Sequence, residues 1–221
     1  MRFFVLLLLV VGVTVFAAET PAPGSEARRL VAAYRAGKTG GEKTQALTAL
    51  REARCAGLGG ALVEEYDRLD MDKPEDAALG GAILQWWAAQ EPQHHLPVLI
   101  FEGLFHDEAV VVRACADAGS RLEAATRSLL STGRAPTGRQ PQQELAVDLI
   151  ARMMERRDLV EPLEKILVAW SNRKRPDAKE GAALDEAGRT AVIEFWKKWY
   201  EERFHAKFKP PEEEKPTAPK P

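Results

Sequence analysis

An all-α fold of stacked helix pairs is what this sequence predicts, and three observations predict it. Candidate helix starts at Gly41, Pro74, Asp107 and Gln140 fall 33 residues apart. Fixed periods of 20–50 residues are the signature of stacked helical repeats. The period is registered to a buried stripe: the sixth residue of each segment is Ala46, Leu79, Val112 and Leu145, and the tenth is Leu50, Ile83, Ala116 and Leu149. The ninth is Ala49, Ala82, Cys115 and Asp148, so positions six, nine and ten line one helix face. Finally, no segment alternates apolar and polar residues with β-branched enrichment, so no strand is expected.

Each unit has a first helix, a short turn and a second helix. Leu30, Val63, Leu96 and Leu129 repeat the spacing in the first helices. The expected pairs are 26–36 with 42–54, 58–69 with 75–89, 96–105 with 108–122, and 124–131 with 141–156. A fifth pair, 159–170 with 183–206, is separated by a longer polar loop. Pro74 suits a first turn, where a missing N–H costs nothing. Asp107 suits an N-cap, since its carboxylate can accept an unpaired backbone N–H. Gly37, Gly40, Gly41, Gly133 and Gly138 punctuate turns. Asp148 interrupts its column and makes the fourth unit the least regular.

The run Asp107-Glu108-Ala109-Val110-Val111-Val112-Arg113-Ala114-Cys115-Ala116 resembles the second helix of a HEAT repeat. That family has an Asp at the helix start, then Val-Arg, then small residues; Asp107, Val112 and Arg113 match in identity and spacing. Pro97 in the preceding helix is similar to the family as well. The other units keep the apolar position and lose the polar ones. The resemblance spans roughly residues 26–206 and implies a right-handed α-solenoid of about four to five antiparallel pairs, with a binding role.

The N-terminus reads as a secretory signal. Arg2 gives a positive start, Phe3–Phe16 is a largely apolar run of 14 residues, and Ala17-Ala18 offers small residues for cleavage. Cleavage is expected after Ala17 or Ala18. The run is short for a hydrocarbon layer of about 30 Å, so no stable membrane insertion is expected after cleavage. An uncleaved anchor is the alternative. The organisation is then 1–18 signal peptide, 19–25 linker, 26–206 repeat domain and 207–221 tail. The tail is Pro, Glu, Lys, Thr and Ala, which cannot bury an apolar face.

Lys and Arg number 31 against 33 Asp and Glu. That balance argues against a nucleic-acid footprint, which needs concentrated basic charge. Arg173-Lys174-Arg175 reads as a solvated loop. The two cysteines of an exported chain invite a disulfide. Cys55 and Cys115 lie two units apart, however, roughly 20 Å at 8–10 Å per helix layer, beyond the Cα separation of about 7 Å that a disulfide spans. Two unpaired thiols are expected.

Chemistry is sparse. Gly37-Lys38-Thr39 resembles the end of a phosphate loop, but Ala32 stands where its first glycine belongs. His94, His95 and His106 flank one predicted helix, whose ends lie about 15–18 Å apart, too far for one ion. No Gly-x-Ser-x-Gly elbow is present. Glu64-Glu65 and Glu201-Glu202 read as surface. No catalytic residue, metal or cofactor is expected.

The aromatics carry the remaining lead. Ala77–Ala89 has no charged residue and includes Leu84, Trp86 and Trp87. Such a helix is either surrounded or presents a binding surface. In HEAT-like arrays second helices line the concave face. The candidate groove for a protein or peptide partner is Leu84, Trp87, Val110, Val111 and Arg113; core packing is the competing role for the tryptophans. Val192, Phe195, Trp196, Trp199, Tyr200 and Phe204 form an aromatic stripe that reads as a terminal cap. Its neighbouring lysines suit a membrane interface, but its acids weigh against one. The functional expectation is an exported, non-catalytic interaction scaffold. Its alternatives are an enzyme or accessory subunit with a site assembled across repeats, and a tethered structural envelope protein.

Overall fold

The computed structural model describes residues 22–55, 57–90, 97–122, 141–176 and 184–211. These residues contain helices and no strand. The helices are α1 (Pro23–Ala36), α2 (Gly40–Glu52), α3 (Leu58–Tyr66), α4 (Pro74–Ala88), α5 (Pro97–Leu104), α6 (Ala109–Ser120), α7 (Pro141–Glu155), α8 (Val160–Ser171) and α9 (Glu186–Phe204). A 3-10 turn, Arg157–Leu159, joins α7 to α8. The expected helix 124–131, the signal segment and residues 212–221 lie outside the described residues.

Local chemistry explains the helix starts. Pro23 and Pro74 occupy first turns. Thr39 and Glu42 form a capping box before α2: the Glu42 N–H donates to Thr39 Oγ1 at 3.2 Å, and the Thr39 N–H donates to Glu42 Oε2 at 3.1 Å. The Lys38 N–H and then the Thr39 N–H, both donating to Glu42 Oε2, hold the Glu42 carboxyl below its usual range. Asp185 caps α9 by accepting the Gly188 N–H at 2.7 Å.

Asp107 does not cap α6. The helix begins at Ala109 with Glu108 as N-cap, and the Asp107 side chain is 99% exposed. A buried imidazole does the work instead. The Glu108 N–H donates to His106 Nδ1 at 3.1 Å, so the proton sits on Nε2, which donates to Ala77 O at 3.2 Å. His106 thereby ties the α5–α6 turn to the start of α4.

Packing explains the apolar helix. α4 is surrounded by α2, α3, α5 and α6, so no face of it needs charge. Two hydrogen bonds cross from α4 to the end of α2 and from the end of α6 to α4. Trp86 Nε1 donates to Ala53 O at 2.9 Å, and Arg121 Nη2 donates to Ala88 O at 3.5 Å. Each joins residues 33 apart in sequence. Most of the column residues are buried: Leu50, Leu79, Ala82, Ile83, Val112, Cys115, Ala116, Leu145 and Leu149. Ala49 is exposed, and Ala46 and Asp148 are half-buried. Glycine lets α6 approach its neighbours: a Cβ at Gly119 would lie 2.7 Å from Ile166 Cδ1 of α8, and one at Gly103 of α5 would overlap Cys115 Sγ.

The 33-residue register stops after α6. The next neighbour of α6 is α8, not α7. Lys165 Nζ meets Asp117 Oδ1 at 2.6 Å, a separation of 48 residues. The end of α7 instead clamps the α5–α6 turn. Arg152 Nη2 donates to His106 O at 3.2 Å, and Arg156 Nη1 donates to Asp107 O at 2.9 Å, across 46 and 49 residues. The second helix expected for the next unit, 141–156, therefore does not lie against α6, and α8 takes that place. Leu145 and Leu149 satisfy the apolar column because α7 is buried, but a buried stripe does not name its neighbour. α9 closes this end against α7 and α8.

Candidate binding surface

Of the five predicted groove residues, three are in the core. Leu84 and Val111 are buried completely, and Trp87 is only 7% exposed. Trp87 stands edge-on to Trp86, with ring centroids 5.2 Å apart, and its ring fills the space over Gly59 of α3. This corrects the groove: α4 has neighbours on every side, so its tryptophans fill the core. The Trp87 Nε1 atom is buried with no hydrogen-bond partner.

Val110 and Arg113 are exposed, Val110 by 54%. One residue along a helix is a rotation of about 100°, which separates exposed Val110 from buried Val111. Spacings of three and four residues place Val110, Arg113, Asp117 and Arg121 in one exposed stripe along α6. Its polar groups reach sideways. Asp117 pairs with Lys165 of α8, and Arg121 bonds the end of α4. The carboxyl of Asp158 in the 3-10 turn is held below its usual range first by a hydrogen bond from Arg156, with the charge of Arg113 adding a smaller attraction. Chemically this is an exposed stripe with one ion pair to α8 and a valine at one end.

Two buried groups escaped the sequence reading. Arg175 is 8% exposed and is not part of a solvated loop. Its Nε donates to Glu164 Oε1 of α8 at 2.7 Å, and Trp196 Nε1 of α9 approaches the same oxygen at 3.4 Å. Arg173 lies over the Phe195 ring at 5.7 Å and meets Glu202 at 3.4 Å. A run of three basic residues carries no mark of which one turns inward. His106 was equally silent, since its partners are backbone atoms.

Cys55 and Cys115 are not joined in a disulfide. Burial pushes the Cys115 thiol up to about 12, so it is not a thiolate at neutral pH. Burial also raises the Tyr66 phenol, helped by a hydrogen bond with Glu102. Among the described residues no group of three or more His, Cys, Asp or Glu side chains could hold a metal ion. Among the same residues no helix is long and apolar enough to cross a membrane. Neither a family model, nor a curated protein, nor a solved structure matches this chain.

Proposed function

We propose that the chain is an exported, non-catalytic interaction scaffold built as a HEAT-like α-solenoid. The observation that carries this reading is the pair of hydrogen bonds, Trp86 to Ala53 and Arg121 to Ala88, each spanning the sequence period of 33 residues. Side-by-side second helices in constant register are what a stack of repeats requires. In this reading α7 and α8 form the fourth pair, offset by 48 residues at Lys165–Asp117, and α9 is the cap. The binding surface is the exposed face of the second helices, centred on Val110 and Arg113 of α6.

The test is capture of a partner by the mature chain, compared with the Val110→Asp, Arg113→Glu double variant. Both positions are exposed, so the variant's unfolding midpoint should stay within about 0.5 kcal/mol of wild type. Its retention of the partner should fall at least about tenfold, or 1.4 kcal/mol. Equal retention would remove this surface from the proposal. Export has its own readout: mass spectrometry of the exported protein should find Ala18 or Glu19 at its N-terminus. An intact Met1 would favour the tethered envelope protein instead.

A further inference from the structure

The outer end of the fold answers the objection that acids around the aromatic stripe oppose a membrane interface. Trp196, Trp199 and Tyr200 of α9 are buried, while Trp170, Phe204 and Phe208 at this end are half-buried against the core. Two of the three nearby glutamates are paired with cations, and the third, Glu201, keeps its charge while accepting a backbone N–H. Glu194 pairs with Lys197 at 2.9 Å. Glu202 lies between Arg173 at 3.4 Å and Lys198 at 3.9 Å. Glu201 Oε1 accepts the Phe208 N–H at 3.1 Å. That last bond depends on a reversal of the chain at His205, whose φ of 51° lies in the left-handed region. The reversal sets the Phe208 ring edge-on to Tyr200, 5.6 Å between centroids.

The cations are left in excess. Lys174, Lys207 and Lys209 are exposed with no acidic partner among the described residues, and Arg203 lies over the Phe204 ring at 5.9 Å. Trp170 meets Trp199 at 6.4 Å, and Arg173 meets Glu202 at 3.4 Å, so the C-terminal ends of α8 and α9 lie side by side, while Phe195, nine residues before Phe204, sits on the opposite flank of α9 and away from this end. The negative end of the α9 dipole accounts for Arg203, which lies in the last turn, since that field fades within it. It does not account for Lys207 and Lys209, which lie beyond that turn.

We infer that this end of the molecule docks peripherally on an anionic phospholipid bilayer. The partly exposed aromatic edges sit at headgroup level, and Lys174, Lys207 and Lys209 face the lipid phosphates. Aromatic edges beside unpaired cations supply the two signals, apolar and electrostatic, that interfacial binding combines. An acidic peptide would use the cations and leave the rings idle. The inference does not rest on the scaffold reading.

The experiment is co-sedimentation of the full mature chain, its Glu212-Glu213-Glu214 run included, with vesicles. One set contains about 30 mol % phosphatidylglycerol in phosphatidylcholine, and the other is phosphatidylcholine alone. Wild type should sediment with the anionic vesicles only, and about 0.5 M salt should release it by screening. The Lys174→Glu, Lys207→Glu, Lys209→Glu variant changes exposed positions only, and its binding should fall at least about tenfold. Failure of wild type to sediment, equal binding to neutral vesicles, or an unaffected variant would each overturn the inference. Binding to polyglutamate without binding to vesicles would overturn it too, and would assign the surface to an acidic protein.

Discussion

Arg175→Met should cost about 3–5 kcal/mol of folding stability, the loss expected when one partner of a buried ion pair is removed. Arg175 is 8% exposed, and its guanidinium sits 2.7 Å from Glu164 Oε1. Without it, Glu164, whose side chain is 14% exposed, keeps among the described residues the long contact from Trp196 Nε1 at 3.4 Å, and a carboxylate largely withdrawn from water with so little compensation is costly. The substitution keeps most of the side-chain volume, so the loss reports charge rather than a cavity. Glu164→Gln in the Arg175→Met background should recover part of it, because a neutral amide needs less compensation than a carboxylate. Urea unfolding of wild type, both single variants and the double variant closes the cycle. A coupling energy above about 1.5 kcal/mol is expected. A single-variant cost under about 1 kcal/mol, the range of exposed pairs, would mean that water reaches Glu164. The pair matters to the architecture because it fastens the loop after α8 to the faces of α8 and α9, and so holds the closing helix in place.

Periodicity made the helices readable because a helix buries one stripe and the stripe repeats every three or four residues. Pro74 stands at the observed start of α4, and the run Ala77–Ala89 foretold a helix with neighbours or a partner on every side. What stayed illegible is which surface covers a given stripe. Leu145 and Leu149 fit the column of second helices, yet α8 and not α7 lies against α6. The binding groove failed for the same reason. Leu84, Trp87 and Val111 look identical in sequence whether they meet solvent, a partner or Gly59, and only the crowding of α4 decides. Val110 and Val111 are chemically equal, and their rotation about the helix axis gives one to solvent and the other to the core. Asp107 had the chemistry of a cap, but His106 reached the backbone first from inside the fold. Arg175 differs from Arg173 only in where the loop turns.

Trp87→Ala should cost about 3–5 kcal/mol, as large-to-small changes of buried aromatics do. A binding assay on that variant would therefore report unfolding and not a groove. Phenylalanine separates the two tryptophans. At Trp87 the buried Nε1 has no hydrogen-bond partner, a defect worth about 1–3 kcal/mol. Trp87→Phe removes that atom along with part of a ring. The smaller ring costs about 1 kcal/mol or somewhat more in lost packing, so the two terms nearly cancel, and a net change within about 1 kcal/mol is expected. Trp86 is buried beside it but donates to Ala53 O at 2.9 Å. Trp86→Phe loses the same packing and one of the two hydrogen bonds to Ala53 O, which keeps the Arg54 Nη1 donor at 2.9 Å, so it should cost about 1 kcal/mol more than Trp87→Phe. Denaturant midpoints of the two phenylalanine variants, measured side by side, decide the matter. Equal costs would mean that the bond to Ala53 contributes nothing, and the register of α4 on α2 would then rest on side-chain packing alone. A larger cost at Trp86 would show that this bond, one of the two that span the 33-residue period, stabilises the packing of one second helix on the next.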